Sequence, residues 1–382
     1  MKIVHLADLH LGYRAYHRVN AQGVNQREAD VFRSFKEVLD KVVTIQPDVI
    51  LIAGDIFHVP RPSNFAVITT QSLLYEFRRQ CEAPMVMIAG NHESVRSTDN
   101  RCILELLKVL PHTYVVTNAP QVVSLNLKDE QTMRICCLPH NALDTKEPLP
   151  LIAPDRDFNY NLLMLHGTVD HERINDYGGY TVPNDLMQMD WDYVACGHYH
   201  SHTHLGKFSY YAGAIERTSN NIWAEALEPK GFVVFDLDYR KVEFYPLTAP
   251  RLTIDLPVID AAKYPSDAIN QLIMDHGKQF DIENSLVRQR IINMVKSVQC
   301  QLDYREIRKL QTEAVHYLLD VRPPETMMKH KSLISPTGET RGLLDQAEVF
   351  LRERPLPVEI PREAFVARGL QYLSQYLSQK KD

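Results

Sequence analysis

The feature that most constrains this chain is a series of short apolar runs, each ending in a residue that can bind a metal ion. The run Val49–Ala53 is followed by Gly54 and Asp55, which places a carboxylate just beyond the carboxyl end of a buried strand. Open α/β sheets bind their ligands at that edge. The side chains that follow four further runs are Asp8 and His10, Asn91 and His92, His166, and His198 and His200.

Two of these motifs have a spacing that suits metal binding. In Asp8-x-His10 and His198-x-His200 the side chains are two residues apart, so both lie on one face of an extended segment. Carboxylate, amide and imidazole groups suit a borderline divalent ion, and the motifs lack the thiolates of a structural zinc site. A single histidine after a strand is more often solvent-facing or hydrogen-bonded than a ligand. Because five strand ends share the pattern, we predict a site for two metal ions.

Composition narrows the class of protein. The 382 residues predict two domains with room for a tail, and the net charge of −6 gives no overall basic surface for nucleic acid. Any nucleic-acid binding must therefore come from local lysine and arginine residues and from the metals. The six cysteines lie mostly in apolar runs without C-x-x-C spacing, which predicts a reduced, cytoplasmic protein. We expect no signal peptide, because the sequence opens on a strand, and no membrane span.

The order of the patterns predicts an α/β fold. Helical apolar stripes occupy Arg27–Ile45 and Asn64–Cys81, a shorter helix is expected over Asn100–Leu110, and mostly strands follow. This order favours a two-sheet β-sandwich flanked by helices, with the metal motifs along one edge. The expected strands are Lys2–Ala7, Val49–Ala53, Pro84–Ala89, Gln121–Leu127, Thr132–Leu138, Asn161–Leu165, Asp192–Cys196, Phe208–Ala212, Gly231–Asp236 and Lys241–Pro246.

Changes of pattern along the chain predict three segments. Residues 1–250 form the metal-binding domain, residues 251–328 form a small α/β domain without ligand motifs, and residues 329–382 form a linker and helices. The small domain is expected to contain strands at Arg251–Ile259 and Ser285–Val298 and helices at Ser266–His276 and Tyr304–Leu310.

The final predicted helix, Arg362–Gln379, follows a second one at Leu343–Arg352 and carries a regular apolar seam. Such a seam can pack on the body of its own chain or bind a partner helix, and both alternatives stay open. The position after a proline-rich stretch favours a partner, because a tethered helix has no obvious core of its own. The seam consists of Val366, Leu370, Leu373 and Leu377.

The motif order resembles that of the calcineurin-like metallophosphoesterases. Asp8–Gly12, Gly54–His58 and Tyr211–Arg217 are similar to segments of the SbcD nuclease subunit and its meiotic-recombination homologues. The resemblance implies a manganese-dependent DNA exonuclease and endonuclease of double-strand break repair or DNA end processing. It also implies a homodimer, formed by the helices after the second and third strands, and a coiled-coil ABC ATPase partner of the SbcC type. The small domain fits the DNA-capping domain of that family only by position and size.

Carried over residue by residue, the resemblance implies the two metal sites. His92 would protonate the leaving oxygen or stabilise charge on the phosphate, and His58 would orient the phosphate. Whether Arg217 or His171 contacts the substrate stays open. One ion would take Asp8, His10 and His200, the other would take Asn91, His166 and His198, and Asp55 would bridge them.

Two positions depart from the pattern of the family. Glu93 stands where aspartate is usual, and Ala214 replaces a serine that is common in the nuclease branch. Neither residue is a metal ligand. The two departures therefore concern the identity of the substrate rather than the metal-dependent chemistry. The alternative function is a metal-dependent phosphodiesterase or phosphatase acting on nucleotides or phosphoproteins. A non-catalytic scaffold with a structural metal site is a third possibility, but it would not need His58 and His92 unligated beside the metals.

Overall fold

The structure, a computed structural model, describes residues 1–94, 101–143, 152–171, 174, 178–324, 343–353 and 361–379. The expected linker at 329–342 lies outside the described residues. The chain divides into two compact units. The first comprises Met1–Leu256, His276–Arg288 and Arg305–Leu318, and the second comprises Pro257–Asp275, Gln289–Tyr304 and Leu319–Asp382.

Twelve strands of the first unit form two six-stranded sheets. They are β1 (Lys2–Leu6), β2 (Val49–Ala53), β3 (Met85–Ile88), β4 (Thr113–Val116), β5 (Gln121–Asn126), β6 (Thr132–Leu138), β7 (Tyr160–His166), β8 (Tyr193–Gly197), β9 (Thr203–Gly206), β10 (Ser209–Tyr211), β11 (Gly231–Asp236) and β12 (Lys241–Pro246). The strand orders are β12-β11-β1-β2-β3-β4 and β5-β6-β7-β8-β10-β9. Strands β1 to β4 are parallel, as are β6, β7, β8 and β10. The predicted α/β sandwich is confirmed.

The alternation of side chains along each strand explains why the sheets stack. In β2, Val49, Leu51 and Ala53 belong to a core that they share with alternate residues of β6, β7 and β8. Ile50 and Ile52 point to the other face, into a core shared with the helices. Because both faces of the central strands are buried, the sequence of β2 is a continuous apolar run.

Helices cover the outer faces of the sandwich. The Asn25 side chain caps the first helix by accepting hydrogen bonds from the backbone N–H groups of Arg27 and Glu28. The helix predicted over Asn100–Leu110 is instead a 3₁₀ helix, Ile103–Val109, whose buried leucines, Leu104 and Leu107, have the three-residue spacing of that turn. The α-helices here are α1 (Gln26–Ile45), α2 (Asn64–Arg78) and α3 (Asn184–Met187).

The segment after the sandwich differs from its prediction at three places. The single strand expected over Arg251–Ile259 is two strands, because Pro257 has no N–H to donate. The strand expected over Ser285–Val298 ends at Ile292 and a short helix follows, and the last strand of this segment was not predicted. The elements are β13 (Thr253–Asp255), β14 (Ile259–Asp260), α4 (Ser266–Gln279), β15 (Leu286–Ile292), α5 (Lys296–Gln299), α6 (Tyr304–Glu313) and β16 (His316–Val321). Strands β13, β14 and β16 each pair with β15.

Two helices, α7 (Leu343–Glu353) and α8 (Arg362–Gln379), pack on each other in the second unit. Val366 is buried, and a Cβ atom at Gly369 would lie 2.4 Å from Cδ1 of Leu351, so the helices approach closely there. At least one residue of the predicted seam, Val366, is therefore buried within this chain. The side chain of Leu377 lies outside the described residues.

Two expectations about the whole chain can be compared with the described residues. Within them, no helix is both long enough and apolar enough to cross a membrane. None of the six cysteines forms a disulfide; five are buried and Cys300 is exposed.

Candidate metal centre

The carboxyl ends of five strands bring the seven predicted metal ligands together at one edge of the sandwich. The donor atoms of Asp8, His10 and His200 lie within 4.8 Å of one another, and so do those of Asp55, His166 and His198. A third group within the same limit joins His10 to the two predicted catalytic histidines. The strand that precedes each residue is β1 for Asp8 and His10, β2 for Asp55, β3 for Asn91, β7 for His166, and β8 for His198 and His200.

In the first group, the imidazole rings of His10 and His200 face each other. Their Nε2 atoms are 3.0 Å apart, and Nε2 of His10 is 3.8 Å from Oδ2 of Asp55. Nδ1 of His10 lies 3.3 Å from Nδ1 of His58, which makes His58 the neighbour on the far side of the ring. Two ring nitrogens at such a distance either share one proton or bind one cation.

In the second group, backbone carbonyls determine which ring nitrogen faces the centre. The Nδ1–H of His166 donates to the carbonyl of Ala53 at 2.8 Å, and the Nε2–H of His198 donates to that of Gly178 at 3.1 Å. The other nitrogen of each ring lies 3.0 Å from Oδ1 of Asn91. Neighbouring ligands of an octahedral ion with bonds of about 2.1 Å are roughly 3 Å apart, so this donor set fits a divalent cation.

Asp55 lies between the two groups. Its Oδ1 accepts a hydrogen bond from the backbone N–H of His92 at 3.0 Å. Its Oδ2 is 3.4 Å from Nε2 of His166 and 3.8 Å from Nε2 of His10. Oδ2 of Asp55 therefore faces one histidine of each donor group.

Three fully buried carboxylates give the centre an excess of negative charge. Burial, with a contribution from the charge of Asp55, raises the pKa of Asp8 to about 7 and that of Glu93 to about 8. Burial would also raise the pKa of Asp55, but the charge and hydrogen bond of His166 hold it well below its ordinary value. Burial would lower the pKa of His166, but Asp55 and Asp8 raise it to about 9. Without cations the centre retains protons, which is the behaviour expected of a metal site.

The remaining imidazoles are held in the neutral form that binds metals. Burial lowers the pKa of His198 to about 3 and that of His200 to about 4, and it lowers the pKa of His10 well below the usual value.

Four of the candidate ligands have left-handed backbone conformations, which cost energy in residues other than glycine. They are Asp8, His10, Asp55 and His198, with φ of 52°, 47°, 51° and 109°.

Glu93, the departure from the family pattern, connects two ligand-bearing loops. Its Oε1 accepts a hydrogen bond from the backbone N–H of Phe57 at 2.6 Å, and its Oε2 accepts one from Gly90 at 2.9 Å. The side chain therefore joins the loop after β2 to the loop after β3. The residue stood out in the sequence, but this contact was not predicted.

Two further buried residues were not predicted to support the centre. His140 donates from Nδ1 to the carbonyl of His166 at 3.2 Å. His140 follows β6, so it repeats the pattern of a histidine after a strand. That pattern could have identified His140 from the sequence. Lys230 donates to the carbonyl of His200 at 2.8 Å and pairs with Glu225. No sequence pattern marks this lysine.

The structure places the two residues whose roles were left open. Arg217 is buried, and each guanidinium nitrogen donates to a backbone carbonyl, at distances of 2.9 to 3.2 Å. This geometry supports a structural role rather than contact with a substrate. His171 is not among the described residues that line the cavity at the centre.

An open cavity of about 510 Å³ adjoins the two donor groups. Its size suits a ligand comparable to a nucleotide. His58 and His92 both line it. The lining residues are His10, Asp55, His58, Asn91, His92, His198, Tyr199, His200, Ser201, Thr218, Ser219, Asn220, Asn221, Ala224, Glu225 and Glu228.

Residues 1–202 match the model of the calcineurin-like phosphoesterase family. The chain belongs to this family. Its members use divalent metal ions, in agreement with the donor groups at the strand ends. The matched segment contains all seven predicted ligands.

Similar proteins point to one branch of the calcineurin-like phosphoesterases. The DNA double-strand break repair protein Mre11 of Methanocaldococcus jannaschii is 30% identical over 253 residues, 62% of each chain. The protein of that name from Methanococcus maripaludis is 28% identical over 208 residues, 52% of each chain. The SbcD subunit of the SbcCD nuclease of Staphylococcus saprophyticus is 24% identical over 281 residues, 65% of this chain and 69% of that protein. The resemblance to SbcD-type nucleases is confirmed, although the chain spans only 52% and 62% of the two Mre11 proteins.

Proposed function

We propose that this chain is a manganese-dependent DNA nuclease, with exonuclease and endonuclease activity, that processes ends in double-strand break repair. One observation carries the proposal: seven candidate ligands from five strand ends, with Asp55 between the two donor groups, lie together beside an open cavity. The names of the similar proteins, Mre11 and the SbcD subunit of the SbcCD nuclease, support DNA as the substrate.

The donor groups support two metal sites. Asp8, His10 and His200 would hold one ion and Asn91, His166 and His198 the other, with Asp55 between them. When bound, the two ions would neutralise the phosphodiester, activate a water and stabilise the leaving oxygen. Manganese suits the mixture of imidazole, carboxylate and amide better than magnesium, which prefers an oxygen shell rich in water.

His92 is the residue best placed to move a proton. Its Nδ1–H donates to the carbonyl of His58 at 2.6 Å, which leaves Nε2 facing the centre, 3.9 Å from Oδ2 of Asp55. In the imidazolium form, which carries a proton on both ring nitrogens, Nε2 would protonate the leaving oxygen or donate to the phosphate. Burial and the charge of His92 lower the pKa of His58 to about 4. A neutral His58 would orient the phosphate by a hydrogen bond rather than act as the acid.

Exposed apolar side chains support the proposed partners. A group on α2 and the adjacent 3₁₀ helix would form a homodimer, since surfaces of this kind usually mark interfaces. On α7 and α8, Phe350 and Tyr372 are 59% and 60% exposed and would bind the coiled coil of an SbcC-type ATPase. The exposed residues of the first group are Phe65, Ile68, Tyr75, Leu106 and Val109.

The proposal is tested by incubating the purified chain with linear duplex, hairpin and single-stranded DNA in manganese, in magnesium and in a chelator. We expect cleavage in manganese, much weaker cleavage in magnesium and none in the chelator. Hydrolysis of a small aryl phosphodiester without cleavage of any DNA would contradict the proposal. It would favour the phosphodiesterase or phosphatase alternative.

A further inference from the structure

Leu227 lies in a turn between two residues that line the metal-centre cavity, and its side chain is in solvent. It is 98% exposed, more than any other large apolar residue in the described part of the chain. Glu225 and Glu228, on either side of it in the sequence, line the cavity. The turn that carries the leucine therefore borders the space that a substrate of the metal centre would enter.

Buried side chains hold the turn that carries Leu227. Nε of Arg217 donates to the carbonyl of Glu225 at 3.0 Å. Nη2 of the same side chain donates to the carbonyls of Ala226 and Glu228 at 3.1 and 2.9 Å. The carboxylate of Glu225 pairs with the buried Lys230. Because carbonyls on both sides of Leu227 are fixed, the turn cannot fold inward to cover the leucine without breaking these hydrogen bonds.

A single exposed leucine on a protein surface needs no explanation by itself. This leucine differs in that hydrogen bonds fix its turn and in that it lies between two residues that line the cavity. Proteins that distort DNA insert leucine and similar apolar side chains between base steps, which partly unstacks them. The lining of the cavity also includes uncharged polar residues, Ser219, Asn220 and Asn221, whose side chains suit contact with an unpaired strand.

We propose that Leu227 is a wedge that unstacks the terminal base pair of duplex DNA, so that one strand reaches the metal centre. The inference rests on the proposed nuclease function. It adds that the wedge is needed for one class of substrate, a DNA duplex with a fully paired end. Single strands, and ends that are already unpaired, would enter the cavity without it. The side chain of Leu227 would thus contact the last base step of a duplex.

The test compares Leu227→Ala with a matched control, Tyr239→Ala. Tyr239 is 83% exposed in the turn between β11 and β12. Since Asp236 pairs with Lys2, at the start of β1, this turn lies at the edge of the sheet opposite the metal centre. Both full-length variants are assayed with manganese on a blunt duplex, on the same duplex with mismatched terminal pairs, and on a single strand.

We expect Leu227→Ala to lower the ratio of blunt-duplex to single-strand cleavage by about tenfold, and the mismatched end to restore most of that loss. Tyr239→Ala should keep the wild-type ratio. A 2-aminopurine at the terminal step should brighten when the wild type binds and stay dim with Leu227→Ala. An unchanged ratio, a loss that mismatches do not restore, or no brightening with the wild type would overturn the wedge. Failure of the wild type to cleave any DNA would overturn the nuclease proposal as well.

Discussion

At the scale of single residues, Asp55 and His200 should differ in how many ions each variant loses. Oδ2 of Asp55 faces both donor groups, whereas His200 belongs to one. We therefore expect Asp55→Ala to lose both ions and His200→Ala to lose mainly one, as measured by metal analysis after dialysis against manganese. Two full equivalents in Asp55→Ala would contradict the bridging assignment.

His92 should separate catalysis from metal binding. Its ring is held by the carbonyl of His58 and lines the cavity, but it is not part of either proposed ligand set. His92→Ser should keep both ions and its affinity for DNA while turnover falls by about 10²–10⁴-fold. Loss of metal from this variant would make His92 a ligand instead.

At the scale of elements, Glu93 should determine how firmly the loops after β2 and β3 are joined. The shorter side chain of Glu93→Asp cannot reach both Phe57 N–H and Gly90 N–H. One unpaired buried N–H costs about 1–3 kcal/mol, which in a protein of this size lowers the melting temperature by several degrees. The measurement is thermal unfolding, with the exposed Glu130→Asp as control. Equal melting temperatures would show that the two hydrogen bonds contribute nothing to stability.

The helix pair α7 and α8 should bind its partner through exposed rather than buried residues. Tyr372→Ser should weaken capture of a coiled-coil ATPase while leaving the melting temperature unchanged, because 60% of this residue is already exposed. Val366→Ser should lower helix content, because Val366 is buried in the helix pair. Capture of the ATPase at wild-type strength by Tyr372→Ser would contradict the proposed surface.

Elements were predictable where a local pattern sufficed. The runs that became β1, β2 and β3 end in glycine or a polar ligand, so both the strands and the residues after them could be read from the sequence. Strand β4 was not predicted because its four-residue apolar run, unlike that of β3, is not followed by a glycine and a ligand motif. His140 and Lys230 were missed as supports because their contacts depend on which strands are neighbours. Local sequence thus identifies the candidate ligands that the fold brings together, whereas the residues that support them depend on tertiary structure.

At the scale of the whole molecule, the excess negative charge of the centre should make stability depend on pH and on metal. In the folded chain the pKa values of Asp8, Glu93 and His166 are raised, to about 7, 8 and 9. The folded state then binds more protons than the unfolded state, so stability falls as pH rises through these values. The lowered pKa values of the other imidazoles affect the stability only below about pH 6.5, where the histidines of the unfolded chain bind protons.

The metal-free chain should therefore melt at progressively lower temperature between about pH 6.5 and 9, the range set by these raised pKa values. Manganese should raise the melting temperature, and the increase should grow with pH, because cations replace the protons that the centre otherwise retains. The measurement is thermal unfolding in a chelator and in excess manganese at several pH values. Asp55→Ala, without the bridging carboxylate, should show little manganese effect at any pH. A metal-free chain that gains stability over this range would show that the folded centre does not retain these protons.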